Sequence, residues 1–193
     1  ARGMDDATMQ ALALQFNLSE TTFILPSDRA TARVRIFTPT FEMPFAGHPT
    51  LGTAHVVRAL KTSGDAVTLE MSAGIIPVQA HGDKWTLQAN APRFRAVAAT
   101  RAELAAMLVL AEADVAPDPG APPLWVDTGS EQLVIPLASV DAIGRAAPRA
   151  DLLLAYGHTG QRAMAYVFAP ATSVPAAAER AMVTRFFFPK HGA

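Results

Sequence analysis

The sequence predicts an α+β protein made of two similar halves, each a sheet wrapped on a helix. Three observations carry that expectation. Residues 5–16 place Met9, Leu12, Ala13 and Phe16 on one stripe at helical spacing, with Asp5 or Asp6 available to cap the start. Residues 33–38 alternate Arg33 and Arg35 against Val34 and Ile36, the pattern of a half-buried strand. Residues 90–100 carry Pro92 and lose all periodicity, which parts one series of strands and helices from another and gives expected domains of 1–92 and 93–193.

The remaining elements follow in order. Thr21 to Leu25 reads as a strand, Pro39 and Pro44 bracket a loop, and a second helix is expected from Pro49 to about Leu60. Strands are expected at Val67–Met71, Ile75–Ala80 and Lys84–Ala89, the last two joined by a turn at His81-Gly82-Asp83. Beyond the break come a helix over 101–112, a Pro-rich connector from Pro117 to Pro123, and a short helix over Val140–Ala146. Strands are expected at Leu124–Asp127, Gln132–Pro136, Leu152–Tyr156, Ala163–Phe168 and Val183–Phe188.

Composition narrows the function classes. Half of the 193 residues are hydrophobic and 17% are charged, enough apolar material for a packed core. Sixteen basic against seventeen acidic residues leave a net charge of −1, with no basic patch to suggest nucleic acid as a partner. The chain contains no cysteine, which excludes disulfides, thiolate metal sites and cysteine nucleophiles. No apolar run reaches the roughly 18 residues of a membrane span, and no signal-peptide pattern opens the sequence, so a cytoplasmic location is expected. A serine-hydrolase elbow, a Walker loop and a dinucleotide fingerprint are all missing. His48 and His55 could share a helix face, but no third ligand supports a metal; His55, His81 and His158 read as surface or turn residues.

The stretch richest in chemistry is Pro44-Phe45-Ala46-Gly47-His48-Pro49-Thr50-Leu51-Gly52-Thr53-Ala54. Pro49 suits a first helical position, which puts His48 at the N-cap and leaves the amides of Thr50 and Leu51 free to bind a carboxylate or phosphate. Gly47 lets the backbone approach a ligand closely. The positive end of the dipole disfavours an imidazolium there, which suits His48 to shuttling protons. Read blandly, His48 is an ordinary polar cap, and the residues alone leave both readings open. Glu20 opens a strand away from any charge run. It is either a solvated carboxylate or, facing one pocket with His48, half of a general acid–base pair. Trp125, Asp127 and Gly129 stand at a strand end and are either a packed Trp and a turn glycine or part of a cleft lining.

Three blocks, Asn17-Leu18-Ser19-Glu20-Thr21-Thr22-Phe23, Arg35-Ile36-Phe37-Thr38-Pro39 and the stretch around Gly47-His48-Pro49-Thr50, strongly resemble the phenazine-biosynthesis-like (PhzF) family in order and spacing. Weaker likeness continues through Asp127-Thr128-Gly129, Gln132-Leu133 and Arg185-Phe186-Phe187-Phe188-Pro189. The resemblance implies a diaminopimelate epimerase-like fold of two pseudo-symmetric domains, each a mostly antiparallel sheet around a central helix. It also implies a cofactor-independent isomerase that moves a proton on a small carboxylated metabolite, usually as a homodimer. Glu20 matches the family's proton-shuttling carboxylate, and His48 with Gly47 its companions at the helix start; Thr50 and Leu51 join them as substrate-binding residues through their amides. The absence of cysteine fits, since epimerases of the parent fold use two thiols.

Both ends read as cut. Relatives begin earlier with a Gly-Asn-Pro block and continue into an Asp-Pro-x-Thr-Gly-Ser block that these residues lack, so the second domain is expected to stop before its central helix. A chain so shortened is expected to be inactive or nearly so. The alternatives to an isomerase are a racemase or epimerase of amino-acid-like substrates, and a non-catalytic binding or scaffold member of the fold.

Overall fold

The computed structural model describes residues 3–61, 63–116, 120–160, 162–171 and 181–188. The chain divides into two units, the first made of Ala1–Ala91 with the Thr128–Ser130 turn, the second of Pro92–Asp127 and Glu131–Ala193.

In the first unit, α1 (Asp6–Phe16) starts where the Asp5 side chain accepts the Thr8 amide and ends where Asn17 turns left-handed at φ 50°. Then come β1 (Thr21–Leu25), β2 (Ala32–Phe37), β3 (Glu42–Met43), α2 (Gly47–Lys61), β4 (Ala66–Met71), β5 (Gly74–His81) and β6 (Lys84–Leu87). The sheet runs β1-β2-β4-β5-β6 with β3 on β2; its neighbours are antiparallel except β2 and β4, and α2 lies in the connection between those two. The turn between β5 and β6 is the two residues Gly82-Asp83, with Gly82 at φ 60°; His81, expected in the turn, belongs to β5.

Alternation along these strands sends two sets of side chains to opposite faces. Val34, Ile36, Val67, Leu69, Ile76 and Val78 are buried with Ala54 and Val57 of α2. Thr50, Thr53, Ala54 and Val57 fall at i, i+3, i+4 and i+7, and all are buried, so α2 offers the sheet a stripe of small and branched side chains. The opposite face buries Phe23 and Phe37, edge to face with centroids 5.5 Å apart, against Met9 and Ala13 of α1. Arg35 binds both Asp6 and Glu42, tying α1, β2 and β3, and those carboxylates hold its guanidinium above the usual arginine range.

The second unit contains β7 (Arg93–Ala96), α3 (Arg101–Leu108), β8 (Leu124–Asp127), β9 (Glu131–Pro136), α4 (Val140–Arg145), α5 (Ala150–Tyr156), β10 (His158–Thr159), β11 (Arg162–Ala163), β12 (Ala165–Pro170) and β13 (Met182–Phe187). Its main sheet runs β13-β12-β9-β8-β7, antiparallel except for the β9–β12 pair. Trp125, Leu133, Ile135, Ala165 and Val167 share its buried face with Leu104 and Leu108 of α3, Ile143 of α4 and Leu153 of α5. Arg185 of β13 donates to the carbonyls of Ile143, Gly144 and Ala146, satisfying the end of α4, and lies over the Phe187 ring at 4.6 Å.

Several expectations are corrected. The second helix begins at Gly47, two residues before Pro49. Proline is tolerated throughout a first turn, because its missing N–H would find no intrahelical partner there, so Pro49 does not mark the first helical residue. The helix expected over 101–112 stops at Leu108, where Val109 adopts a left-handed φ of 57°, and a 3-10 turn follows at Glu112–Asp114. The strand expected at Leu152–Tyr156 is helix α5, because Leu152, Leu153 and Tyr156 reach the core at helical spacing. The short strand β7 is not among the expected elements: Arg93-Phe94-Arg95-Ala96 alternates, but over only four residues directly after Pro92, and the alternation buries neither face. Of the Pro-rich connector, residues 117–119 lie outside the described residues, as does Pro189.

Candidate active site

The candidate site is built within the first unit, where the start of β1 meets the start of α2. Glu20 directly precedes β1. Thr22, on the face of the sheet that meets α2, accepts a hydrogen bond from the Thr53 hydroxyl at 2.9 Å, fixing the strand's start against the helix. The helix is pinned from below as well. The Thr50 hydroxyl donates to the Ala46 carbonyl at 2.6 Å and lies 3.6 Å from the Met71 sulfur, with Thr50 fully buried. Just upstream, the Ala73 amide donates to the Pro44 carbonyl at 3.1 Å and Phe45 is buried in the core.

These anchors bring Glu20 and His48 together. His48 Nε2 lies 3.2 Å from Glu20 Oε2. The two side chains differ in setting: that of His48 is 79% exposed and that of Glu20 only 18%. The Glu20 Oε2 atom is sealed from solvent and receives no hydrogen bond among the described residues, although the imidazole nitrogen stands within reach of it. A carboxylate oxygen held dry beside an imidazole, with no hydrogen bond of its own, is an uncompensated arrangement that a ligand proton could relieve.

The helix start differs from the expected one in a way that matters for binding. His48 is the second helical residue rather than the N-cap. The Thr50 amide donates to the Ala46 carbonyl at 3.3 Å, and in a helix beginning at Gly47 the Leu51 amide enters the intrahelical ladder. Neither is free, so the expected anion role of Thr50 and Leu51 is lost. The amides left unbonded among the described residues are those of Gly47 and His48, both exposed. Gly47 has no positive φ, and a Cβ built on it would meet nothing within 4 Å, so a side chain at this position would stand in open space.

The other sequence candidates fall elsewhere. Trp125 is 4% exposed and covered by the Arg95 guanidinium at 4.8 Å, and Asp127 is engaged by Arg93 at 2.6 Å; both are parts of the second unit's framework. Gly129, in the turn that groups with the first unit, has φ 122°. His55 packs edge to face on Trp85, and His81 and His158 are exposed. Among the described residues no cluster of three metal-ligating side chains occurs, and no helix is long and apolar enough to cross a membrane. Sequence reasoning missed Thr22 and Thr53, whose hydroxyls meet only once β1 lies along α2; their polar character on otherwise apolar faces was the available signal.

Comparison with known proteins bears on this arrangement. The phenazine biosynthesis-like protein family, PhzC-PhzF, matches residues 1–193. A protein of Pasteurella multocida named as an uncharacterized isomerase is 35% identical over 156 residues, which are 74% of this chain and 49% of that protein. The trans-2,3-dihydro-3-hydroxyanthranilate isomerase of Pseudomonas aeruginosa is 51% identical over 70 residues, 36% of this chain and 25% of that one. The crystal structure of a PhzF-family phenazine biosynthesis protein from Bacillus anthracis superimposes with a TM-score of 0.77 at 27% identity, covering 96% of this chain and 63% of that one. The chain thus spans about half the length of the curated relatives it matches over most of its own length.

Proposed function

The chain belongs to the phenazine biosynthesis-like family, and from that premise we propose that it supplies the Glu20–His48 proton-transfer pair of a cofactor-independent isomerase acting on a small carboxylated substrate. The observation that carries this reading is the dry, unbonded Glu20 Oε2 standing 3.2 Å from His48 Nε2 beside a helix start with two unused amides. The substrate carboxylate takes the amides of Gly47 and His48, where the helix dipole adds an attraction of about 0.3–1 kcal/mol. Glu20 then removes a proton from an acidic C–H, the electron pair delocalises into the substrate's unsaturated system, and the Glu20 carboxyl, after exchanging its proton with solvent, returns one to a different carbon of that system. His48 lies within hydrogen-bonding distance of the carboxylate, and a small turn of its exposed ring would let it donate to Glu20 or accept from it. Atoms and charge balance with no electron acceptor, so the step is an isomerisation.

The test is deuterium uptake, measured by mass spectrometry on the natural gene product in heavy water. The probe is trans-2,3-dihydro-3-hydroxyanthranilate, with other small unsaturated carboxylic acids beside it. Uptake is expected with the parent, and Glu20→Gln should lower it by about 10²–10⁴-fold while leaving binding in place. Gly47→Val should do the reverse: its side chain would stand in open space at the helix start and weaken carboxylate binding without disturbing the fold. Equal uptake by parent and Glu20→Gln would overturn the assignment of Glu20. Unchanged binding by Gly47→Val, measured by calorimetry, would overturn the anion site.

A further inference from the structure

We propose that Gly129 is a positioning residue for the Glu20–His48 pair, acting through Phe45, an inference that rests on the reading of that pair as the site of chemistry. The Thr128–Ser130 turn joins β8 to β9 yet groups with the first unit. Gly129 is held there at φ 122°, a conformation that L side chains rarely adopt. Its missing side chain is also required by space. A Cβ at this position would lie 3.1 Å from Phe45 Cβ and 3.2 Å from both Phe45 Cγ and Ala73 Cβ. Most glycines of the chain show no such crowding; at Gly47, Gly52, Gly74 and Gly82 a Cβ would meet nothing within 4 Å. The backbone of Gly129 is therefore pressed directly against the stem of the Phe45 side chain.

Phe45 cannot move alone. Pro44 before it accepts the Ala73 amide, and Ala73 in turn is held through its carbonyl by the Asn90 side chain at 3.0 Å. Ala46 after it accepts both the amide and the hydroxyl of Thr50. Gly47 and His48 follow at once, so the segment from Pro44 to Thr50 is a tied strap whose middle is the helix start. Pushing Phe45 by a few tenths of an ångström moves the first turn of the helix relative to Glu20, whose strand is tied to the same helix more than a turn further on, at Thr53. Proton transfer is steeply sensitive to such displacement. The turn thus sets the distance between His48 and Glu20 through Phe45.

The experiment reads that distance directly. In the natural gene product with labelled histidine, the ring carbon–proton resonance of His48 is recorded with and without Glu20→Gln; the difference measures how closely the carboxylate and imidazole are placed, with no substrate present. Gly129→Ala should cut that difference by at least half and lower deuterium uptake about ten-fold, with little change in apparent KM for the probe acid. Gly82→Ala is the control: it imposes a positive φ on alanine in an open hairpin turn, and should leave both readouts as in the parent. If Gly129→Ala does not fold, Phe45→Leu, which loosens the same contact, decides: loss of the His48 difference supports the proposal. An unchanged His48 difference in a folded Gly129→Ala or in Phe45→Leu overturns it. A parent that takes up no deuterium, yet loses the His48 difference in Gly129→Ala, would retain the positioning and discard the isomerase reading.

Discussion

The two sheets of this chain are patterned alike but clothed differently. In the first unit both faces are packed, one by α2 and the other by α1. In the second, α3, α4 and α5 all join the face that holds Trp125, Leu133, Ile135 and Val167. The register places Leu124, Val134 and Tyr166 side by side on the other face, with Phe168, Val126 and Phe186 adjoining. Among the described residues these six belong to no buried cluster, and Phe186 is 46% exposed. The strands Leu124-Trp125-Val126 and Ala165-Tyr166-Val167-Phe168 are nevertheless apolar at every position. Continuous apolar runs suit strands covered on both sides, whereas a one-sided strand tends to alternate with polar residues. The comparison teaches that patterning and packing are separate pieces of information. The second sheet has the sequence of a two-sided layer, while its described partners occupy one side.

The two tryptophans make that contrast measurable, since Trp85 reports on the first unit and Trp125 on the second. The largest expected effects come from the buried faces. Leu69→Ala should destabilise the first unit, and Leu133→Ala the second, by about 2–5 kcal/mol each, read by denaturant unfolding through the tryptophan of the same unit. Next is the capping box of α3, where the Thr100 hydroxyl accepts the Glu103 amide and Glu103 accepts the Thr100 amide. Thr100→Ala should cost about 1 kcal/mol at Trp125 and nothing at Trp85. Val134→Thr, on the uncovered face, should change stability by no more than about 0.5 kcal/mol. A loss at Val134 as large as that at Leu133 would break the comparison, showing that this face is covered after all.

The smallest expected effect is electrostatic. Hydrogen bonds from Arg95 hold the Glu131 carboxyl below its ordinary value of 4.5, a shift that burial opposes and a Thr159 hydroxyl bond reinforces. A carboxyl whose folded pKa is depressed contributes stability that is complete above the unfolded value. That stability begins to fall near pH 4.5 and is gone once the pH drops below the depressed value. Glu131→Gln should therefore flatten the acid limb of the Trp125 stability profile below about pH 4.5 and leave the Trp85 profile alone. An acid limb unaltered by the substitution would remove this pair from the account of the second unit.

Local pattern carried much of the fold. The stripe through Met9 and Ala13 and the alternation through Val34 and Ile36 point to the faces those residues bury. The failures occurred where local signals compete. Proline at position 49 suggested a helix start, but first-turn positions tolerate it equally, and the true start two residues earlier transferred the free amides from Thr50 and Leu51 to Gly47 and His48. The leucines of α5 fit either period, and only contact with α3 and the sheet decides between them. In the candidate site, Glu20 and His48 stood out by residue type. Thr22, Thr53 and Phe45 did not, and Gly129 was legible only as a turn glycine or a piece of cleft lining, because each meets its neighbour from far away in sequence.

The Thr128–Ser130 turn also fixes an order of events. The chain leaves the first unit at Ala91, returns to it for three residues, and departs again at Glu131. As the chain is synthesised, every other residue of the first unit emerges before this turn does, and the turn is presented by the hairpin of β8 and β9. A fragment ending at Ala91 would thus carry Glu20, His48 and the whole first sheet, yet would lack the backbone that seats Phe45. Closing a contact of such long sequence separation is slow relative to local pairing. The helix start would therefore reach its final place last, after the sheet beneath it has formed, and a nick within the hairpin would loosen it while leaving every strand of that sheet intact.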